Sequence, residues 1–190
     1  AYFTGLDVMT MDLWFQVDTT SQKAVLFTTG GLGRGTSLSY DNGEIRFLLK
    51  GSGSVGADSD INLTGAITAD ETTQFVRASV TIDGANDDVF LYVDGLQVAS
   101  STSTVFGDFT GNNNTSIGTY NITNENQVGG ADNSPSNDPT DDHDGWAAGF
   151  AGDISRVQVY DSIEAIPEPS SLALMALAGV ALFLRRRRRA

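Results

Sequence analysis

The chain has 190 residues, which is enough for one domain with a core. It contains no cysteine and one histidine, which excludes disulfides, a cysteine nucleophile and a multi-histidine zinc site. All 24 acidic residues precede Arg185, whereas only six of the 11 basic residues do, so residues 1–184 carry a net charge of −18, against −13 for the whole chain. Such an acidic surface repels phosphate backbones and argues against nucleic-acid binding; it suits plain solvation or divalent cations.

The opening residues "AYFTGLDVM" lack the basic and apolar regions of a signal peptide. We therefore expect the sequence to be a processed or partial chain. An export signal and the first strand of the domain would then lie upstream of Ala1.

Residues 11–161 predict short β-strands separated by turns, without an amphipathic helix. In "MDLWFQVD" Leu13, Phe15 and Val17 share one face, and Trp14 lies on the other. An exposed Trp14 could stack on a sugar ring, but its position inside a strand favours a place in the core. The strand "AVLFTTGG" follows after a polar turn.

Two tight reversals are predicted further along. Asn42-Gly43 separates the alternating segments "TSLSYD" and "EIRFLL", and such a pair supplies the two positive φ angles of a hairpin turn. After "FVRASVTID" and the loop "GANDD", Asp94-Gly95 reverses the chain within "VFLYVDGLQVASS". With "TSIGTY" and "FAGDISRVQVYD" this makes eight or nine strands, which predicts an all-β fold of two antiparallel sheets.

A long acidic loop, residues 129–146, offers oxygen ligands of the kind that calcium takes. The candidate ligands are Asp132, Asp138, Asp141, Asp142 and Asp144. The alternative is a soluble polar insertion that binds nothing, with His143 exposed and titrating ordinarily. Trp146, beside the loop, is the better candidate for contact with a carbohydrate.

No catalytic arrangement is evident. Glycoside hydrolysis needs two carboxylates across the sugar, and no strand shows acids on alternate positions. Asp12, Glu44, Asp94 and Asp153 are scattered singly. We therefore predict that the protein is not an enzyme.

The C-terminal segment, 164–190, has three parts. In the motif Pro167-Glu168-Pro169 the two prolines bar a helix, residues 170–184 are predicted to form an apolar helix, and five arginines end it. The arginines are Arg185, Arg186, Arg187, Arg188 and Arg189. Fifteen helical residues span about 22 Å, less than a hydrocarbon layer of roughly 30 Å, and the arginines should stay on the cytoplasmic side.

These parts, "IPEPSSLALMALAGVALFLRRRRR", resemble the PEP-CTERM sorting signal of Gram-negative bacteria. The resemblance implies processing by an exosortase, an intermediate held in the inner membrane by the transmembrane helix, and delivery to the cell surface or extracellular space. An ordinary C-terminal membrane anchor is the alternative. Both place the main domain outside the cytoplasm.

The order "LFTTGG", "YDNGEIRF", "LYVDG" and "GDISRVQVYD" resembles the laminin-G-like (LamG), or concanavalin A-like, jelly-roll β-sandwich. Gly152 is expected to permit close backbone approach, and Tyr160 to pack at the end of the sandwich. The resulting boundaries are 1–163 for the sandwich and 164–190 for the tail. In this family calcium often lies at the rim.

Together these features predict a non-enzymatic, exported adhesion or binding module for an exopolysaccharide or surface glycan, contacted through rim loops. The alternatives are a glycoside hydrolase or polysaccharide lyase on the same fold, and a purely structural matrix component. The link from fold to sugar is an analogy, because this scaffold carries many functions.

Overall fold

The computed structural model describes residues 8–31, 34–50, 61–102, 116–118 and 149–164. The regular structure in these ranges is β-strand throughout: β1 (Val8–Val17), β2 (Lys23–Gly31), β3 (Arg34–Asp41), β4 (Glu44–Lys50), β5 (Ile61–Ala66), β6 (Val76–Asp83), β7 (Asp88–Val93), β8 (Leu96–Thr102), β9 (Ser116–Ile117) and β10 (Gly152–Tyr160). The predicted all-β class is confirmed. The sequence predicts eight or nine strands, whereas the described ranges contain ten, because β5 was not recognised from its sequence.

The strands form two antiparallel five-stranded sheets. Sheet A has the order β10-β1-β6-β7-β8, and sheet B has the order β5-β4-β3-β2-β9. The hairpins β2–β3–β4–β5 and β6–β7–β8 pair consecutive strands, whereas β1 and β10 pair across the whole domain. This is the two-sheet antiparallel sandwich that the strand pattern predicts, and it agrees with the jelly roll that the family resemblance implies.

Alternation within the strands builds the core between the sheets. In β1 every second residue from Met9 to Val17 is buried, and these side chains join one cluster with residues of sheet B such as Leu38, Ile45 and Phe47. Phe15 lies near the centre, with its ring edge-on to that of Tyr40 at 6.0 Å between centroids. Removing this apolar surface from water is the main source of stability for such a fold.

The two predicted reversals are confirmed. Asn42 and Gly43 have φ angles of 49° and 92°, and Asp94 and Gly95 have 51° and 80°. Both residues of each pair have positive φ angles, and a turn of this kind matches the right-handed twist of the strands that it joins.

Gly152 begins β10 where that strand meets the end of β1. Its φ is 149°, and a Cβ atom there would overlap the carbonyl oxygen of Gln16 and lie 2.9 Å from the Cα of Val17. The preceding residue, Ala151, is held by Gln22, whose amide accepts from the Ala151 N–H at 3.0 Å and donates to its carbonyl at 2.8 Å. The expected close backbone approach at Gly152 is therefore observed.

Within the ranges that the structure describes, no helix is long and apolar enough to span a membrane. The predicted helix at 170–184 lies outside those ranges.

Candidate functional site

The site residues predicted from the sequence, those for metal, ligand contact, sorting and the membrane stop, lie outside the described ranges. These are the five aspartates of the acidic loop, Trp146, the Pro167-Glu168-Pro169 motif and the arginine cluster 185–189. Among the residues that are described, no three His, Cys, Asp or Glu side chains are grouped to hold a metal ion. The calcium site and the roles assigned to these positions remain predictions.

Trp14 lies on the outer face of sheet A, so its expected place in the core was wrong. Its register partners are Arg77 on β6 and Arg156 on β10, one on each side of β1. The Cζ atoms of the two arginines lie 4.8 and 4.9 Å from the centroid of the indole ring. Trp14 is half-buried because guanidinium groups cover it, and such contacts contribute about 0.5–2 kcal/mol each.

Arg77 is fixed by a buried carboxylate. Its Nε and Nη2 donate to the two oxygens of Asp12 at 2.8 and 2.7 Å, and the hydroxyl of Ser79 donates to Asp12 Oδ1 at 2.6 Å. This fork raises the pKa of Arg77, chiefly through the hydrogen bonds with Asp12. The charge of Arg77 is therefore neutralised within the protein.

Arg156 differs from the other basic side chains that the structure describes. Lys23 and Arg46 pair with Asp41, and Arg77 pairs with Asp12, whereas Arg156 forms no salt bridge there. It is exposed, and its observed contact is the face of Trp14. It is a positioned cation on the surface of an acidic domain.

A second polar cluster lies on the outer face of sheet B, at the end that carries the Asn42-Gly43 turn. Asp41 accepts from Arg46 at 3.1 Å and from the Asn42 side chain at 3.0 Å, and Lys23 Nζ lies 3.4 Å from its Oδ1. The side chains of Lys23, Asp41 and Arg46 are 34%, 14% and 23% exposed. Surface pairs of this kind contribute at most about 1 kcal/mol to stability, so the cluster can exchange its partners for those of a ligand at low cost.

The same face continues as a row of small polar side chains. Ser39 lies beside Arg46 in the register and is buried, and the next pairs lead to Asn62 and Thr64 on β5, which are exposed. Hydroxyl, amide, carboxylate and guanidinium groups together can both donate to and accept from sugar hydroxyls.

The buried pair of Tyr40 and Glu71 lies at the same end of the sandwich. The Tyr40 hydroxyl is 3.1 Å from Glu71 Oε1 and 3.3 Å from the carbonyl oxygen of Thr20. Burial, and then the hydrogen bond and charge of Glu71, raise the pKa of Tyr40 to about 12. Tyr40 is thus a protonated donor at neutral pH, and neither group reaches solvent to act on a substrate.

Sequence reasoning missed both surface clusters. Asp41, Arg46, Arg77 and Arg156 each look ordinary in sequence, and they meet through cross-strand register. The alternation in β1 did place Trp14 on the face opposite to the core residues, and this was the sequence signal that could have identified its surface position.

Comparison with known proteins supports the fold. Residues 2–163 match the family model of the concanavalin A-like lectin/glucanases superfamily (Laminin_G_3), and residues 165–189 match the PEP-CTERM protein-sorting motif. No curated protein matches the chain significantly.

Several solved structures share the fold at low sequence identity. The Ruminococcus gnavus IT-sialidase CBM40 bound to α2,3-sialyllactose is 18% identical, with a TM-score of 0.59 over 84% of this chain and 78% of that one. Domains LG4-5 of the mouse laminin α1 chain are 15% identical, with a TM-score of 0.56 over 80% of this chain and 34% of that one. The native heptameric SAP-like pentraxin of Limulus polyphemus is 15% identical, with a TM-score of 0.53 over 85% and 67%.

The tail match indicates export through the membrane towards the cell surface, with processing by an exosortase. The sandwich match extends over most of the chain. The protein therefore belongs to the concanavalin A-like lectin/glucanases superfamily and carries a C-terminal PEP-CTERM sorting motif.

Proposed function

We propose that the protein is a non-enzymatic glycan-binding module, exported to the surface or matrix of a Gram-negative-type bacterium, and that it binds exopolysaccharide or a surface glycan. The observation that carries the proposal is the Asp41 cluster: a partly exposed carboxylate with Lys23, Arg46 and Asn42 around it, next to a sheet face of hydroxyl and amide groups. The bound sialyllactose of the Ruminococcus gnavus module supports a sugar ligand on this fold in general.

The arrangement favours binding over catalysis. Glu71, at the same end of the sandwich as the Asp41 cluster, is buried and accepts a hydrogen bond from Tyr40. Asp41 is paired with two cations, so its oxygens already serve as acceptors. The Asp41 cluster can orient a sugar by hydrogen bonds. Glu44, the exposed register partner of Asp41, is a second carboxylate beside it, so sugar cleavage has to be measured along with binding.

The test is a binding screen of the full chain against neutral and acidic bacterial polysaccharides, with Asp41→Asn as the site variant. We expect the variant to bind the selected polysaccharide at least fivefold more weakly, because it loses the carboxylate charge, the two ion pairs that this charge makes and one oxygen acceptor. Asp153→Asn is the matched control, since Asp153 is an exposed acid on β10 of the other sheet.

Three results would count against the proposal. Equal binding by the two variants would remove the Asp41 cluster from the site. New reducing ends or unsaturated products that accumulate with time would establish the enzymatic alternative. A full screen without any binding would favour a purely structural matrix component.

A further inference from the structure

We propose that Arg156, held against Trp14, forms a second ligand site on the outer face of sheet A that binds the carboxylate of a single acidic sugar in an otherwise neutral glycan. This site lies on the opposite sheet from the Asp41 cluster, so it goes beyond the glycan site proposed above and does not depend on it.

The contact with Trp14 positions the guanidinium, and its N–H donors form no hydrogen bond with the residues that the structure describes. The Cζ atom of Arg156 lies over the indole of Trp14, 4.9 Å from the ring centroid. The N–H groups of a guanidinium lie in its plane and point outward, where they match the two oxygens of a carboxylate. Because the side chain is already ordered by the ring, binding orders less of it than it would a free arginine.

The rest of the cluster makes the site rigid. Arg77, on the strand at the other side of β1, also contacts the ring of Trp14. Arg77 is held in turn by Asp12, which accepts a hydrogen bond from Ser79. Asp12 pairs with Arg77, and Asp94 accepts from the Arg77 backbone N–H at 2.9 Å, whereas Arg156 forms no salt bridge with the described residues. Trp14 is half-buried, so the part of the indole that the guanidinium groups leave uncovered gives an apolar surface beside the cation, against which the C–H groups of a sugar ring can pack.

The charge of the domain decides the class of ligand. Residues 1–184 carry a net charge of −18, which repels a long polyanion. A guanidinium that forms no salt bridge within the described part of the chain matches one carboxylate, and a neutral remainder of the glycan avoids the repulsion. A glycan with one uronic acid fits both conditions better than a polyuronate does.

Tryptophan fluorescence gives a local test in the full chain. The protein has two tryptophans, so Trp146→Phe leaves Trp14 as the single reporter, and the Arg156→Gln variant separates binding at this site from binding at the arginines 185–189. The probes are glucuronosyl-xylotriose, which has one carboxylate, and xylotriose, which has none. We expect a saturable change in Trp14 emission with the acidic probe, and little change with the neutral one.

The Arg156→Gln variant, made in the same background, then identifies the cation. We expect it to weaken binding of the acidic probe about tenfold or more, as loss of a charge-assisted pair implies. Arg156 is exposed, so loss of its contact with Trp14 should lower the unfolding midpoint by only a few degrees. Unchanged Trp14 emission with the acidic probe, an equal response to xylotriose, or equal affinity in R156Q would each overturn the proposal. None of these results depends on binding at Asp41.

Discussion

Replacement of Gly152 by alanine should strongly destabilise the sandwich. Its φ of 149° lies in a region that is essentially restricted to glycine, and holding another residue there costs about 1–3 kcal/mol. The added Cβ would also overlap the Gln16 carbonyl oxygen and approach the Val17 Cα at 2.9 Å. Both obstacles are backbone atoms of β1 and cannot rotate away, so overpacking adds about 1–3 kcal/mol.

The two contributions sum to about 2–6 kcal/mol, and the structure therefore predicts a loss of about 3–4 kcal/mol in the free energy of unfolding, within that range. For a chain of this size that corresponds to a fall in Tm of roughly 6–16 °C. Urea unfolding followed by tryptophan fluorescence measures the change directly.

Gly149→Ala is the matched control. A Cβ at Gly149 would have its nearest neighbour, the carbonyl oxygen of Gly118, at 3.8 Å, which is an ordinary contact. We expect this variant to remain within about 1 kcal/mol of the parent. If Gly152→Ala is equally mild, β10 does not approach β1 as described, and the reasoning fails.

Three further predictions test other parts of the chain. The pKa of Tyr40 is raised from 10.0 to about 12, so its contribution is complete below pH 10 and is lost as the pH rises from 10 to 12. Between pH 10 and 12 the free energy of unfolding, measured with urea, should fall by up to roughly 2–3 kcal/mol more in the parent than in Tyr40→Phe, because the variant has no phenol to ionise. An equal fall in both proteins would contradict the assignment. The Thr10 hydroxyl donates to the Ser162 carbonyl at 2.8 Å and accepts from the Glu164 N–H at 3.1 Å, so Thr10→Val should speed limited proteolysis after β10 whereas Thr10→Ser should not; equal cleavage rates would refute this role. If the loop at 129–146 holds calcium, millimolar calcium should raise the unfolding midpoint and chelator should reverse the rise, and a midpoint unchanged by calcium would remove the site.

Much of the fold could be predicted because its signals are local. Alternation in β1 identified the core residues Leu13, Phe15 and Val17, and Asn42-Gly43 marked a hairpin, since each follows from backbone geometry over a few residues. The strand β5 was missed because its sequence, "INLTGA", has a weaker apolar pattern and follows a glycine- and serine-rich stretch.

The candidate sites could not be predicted in the same way. Asp12 and Arg77 are 65 residues apart in sequence, and their bidentate pair exists because β1 and β6 are neighbours in one particular register. A shift of one residue would turn Arg77 to the other face of the sheet. No local pattern carries that information.

The sequence by itself determined the two-sheet β architecture, the tight turns and the sorting tail, because periodicity, turn chemistry and the tail motif are each written in consecutive residues. Only the tertiary structure decided that Trp14 is covered by Arg77 and Arg156, and that Asp41 gathers Lys23 and Arg46. The register that brings these side chains together is fixed by packing of the whole core, which pairs strands from opposite ends of the chain.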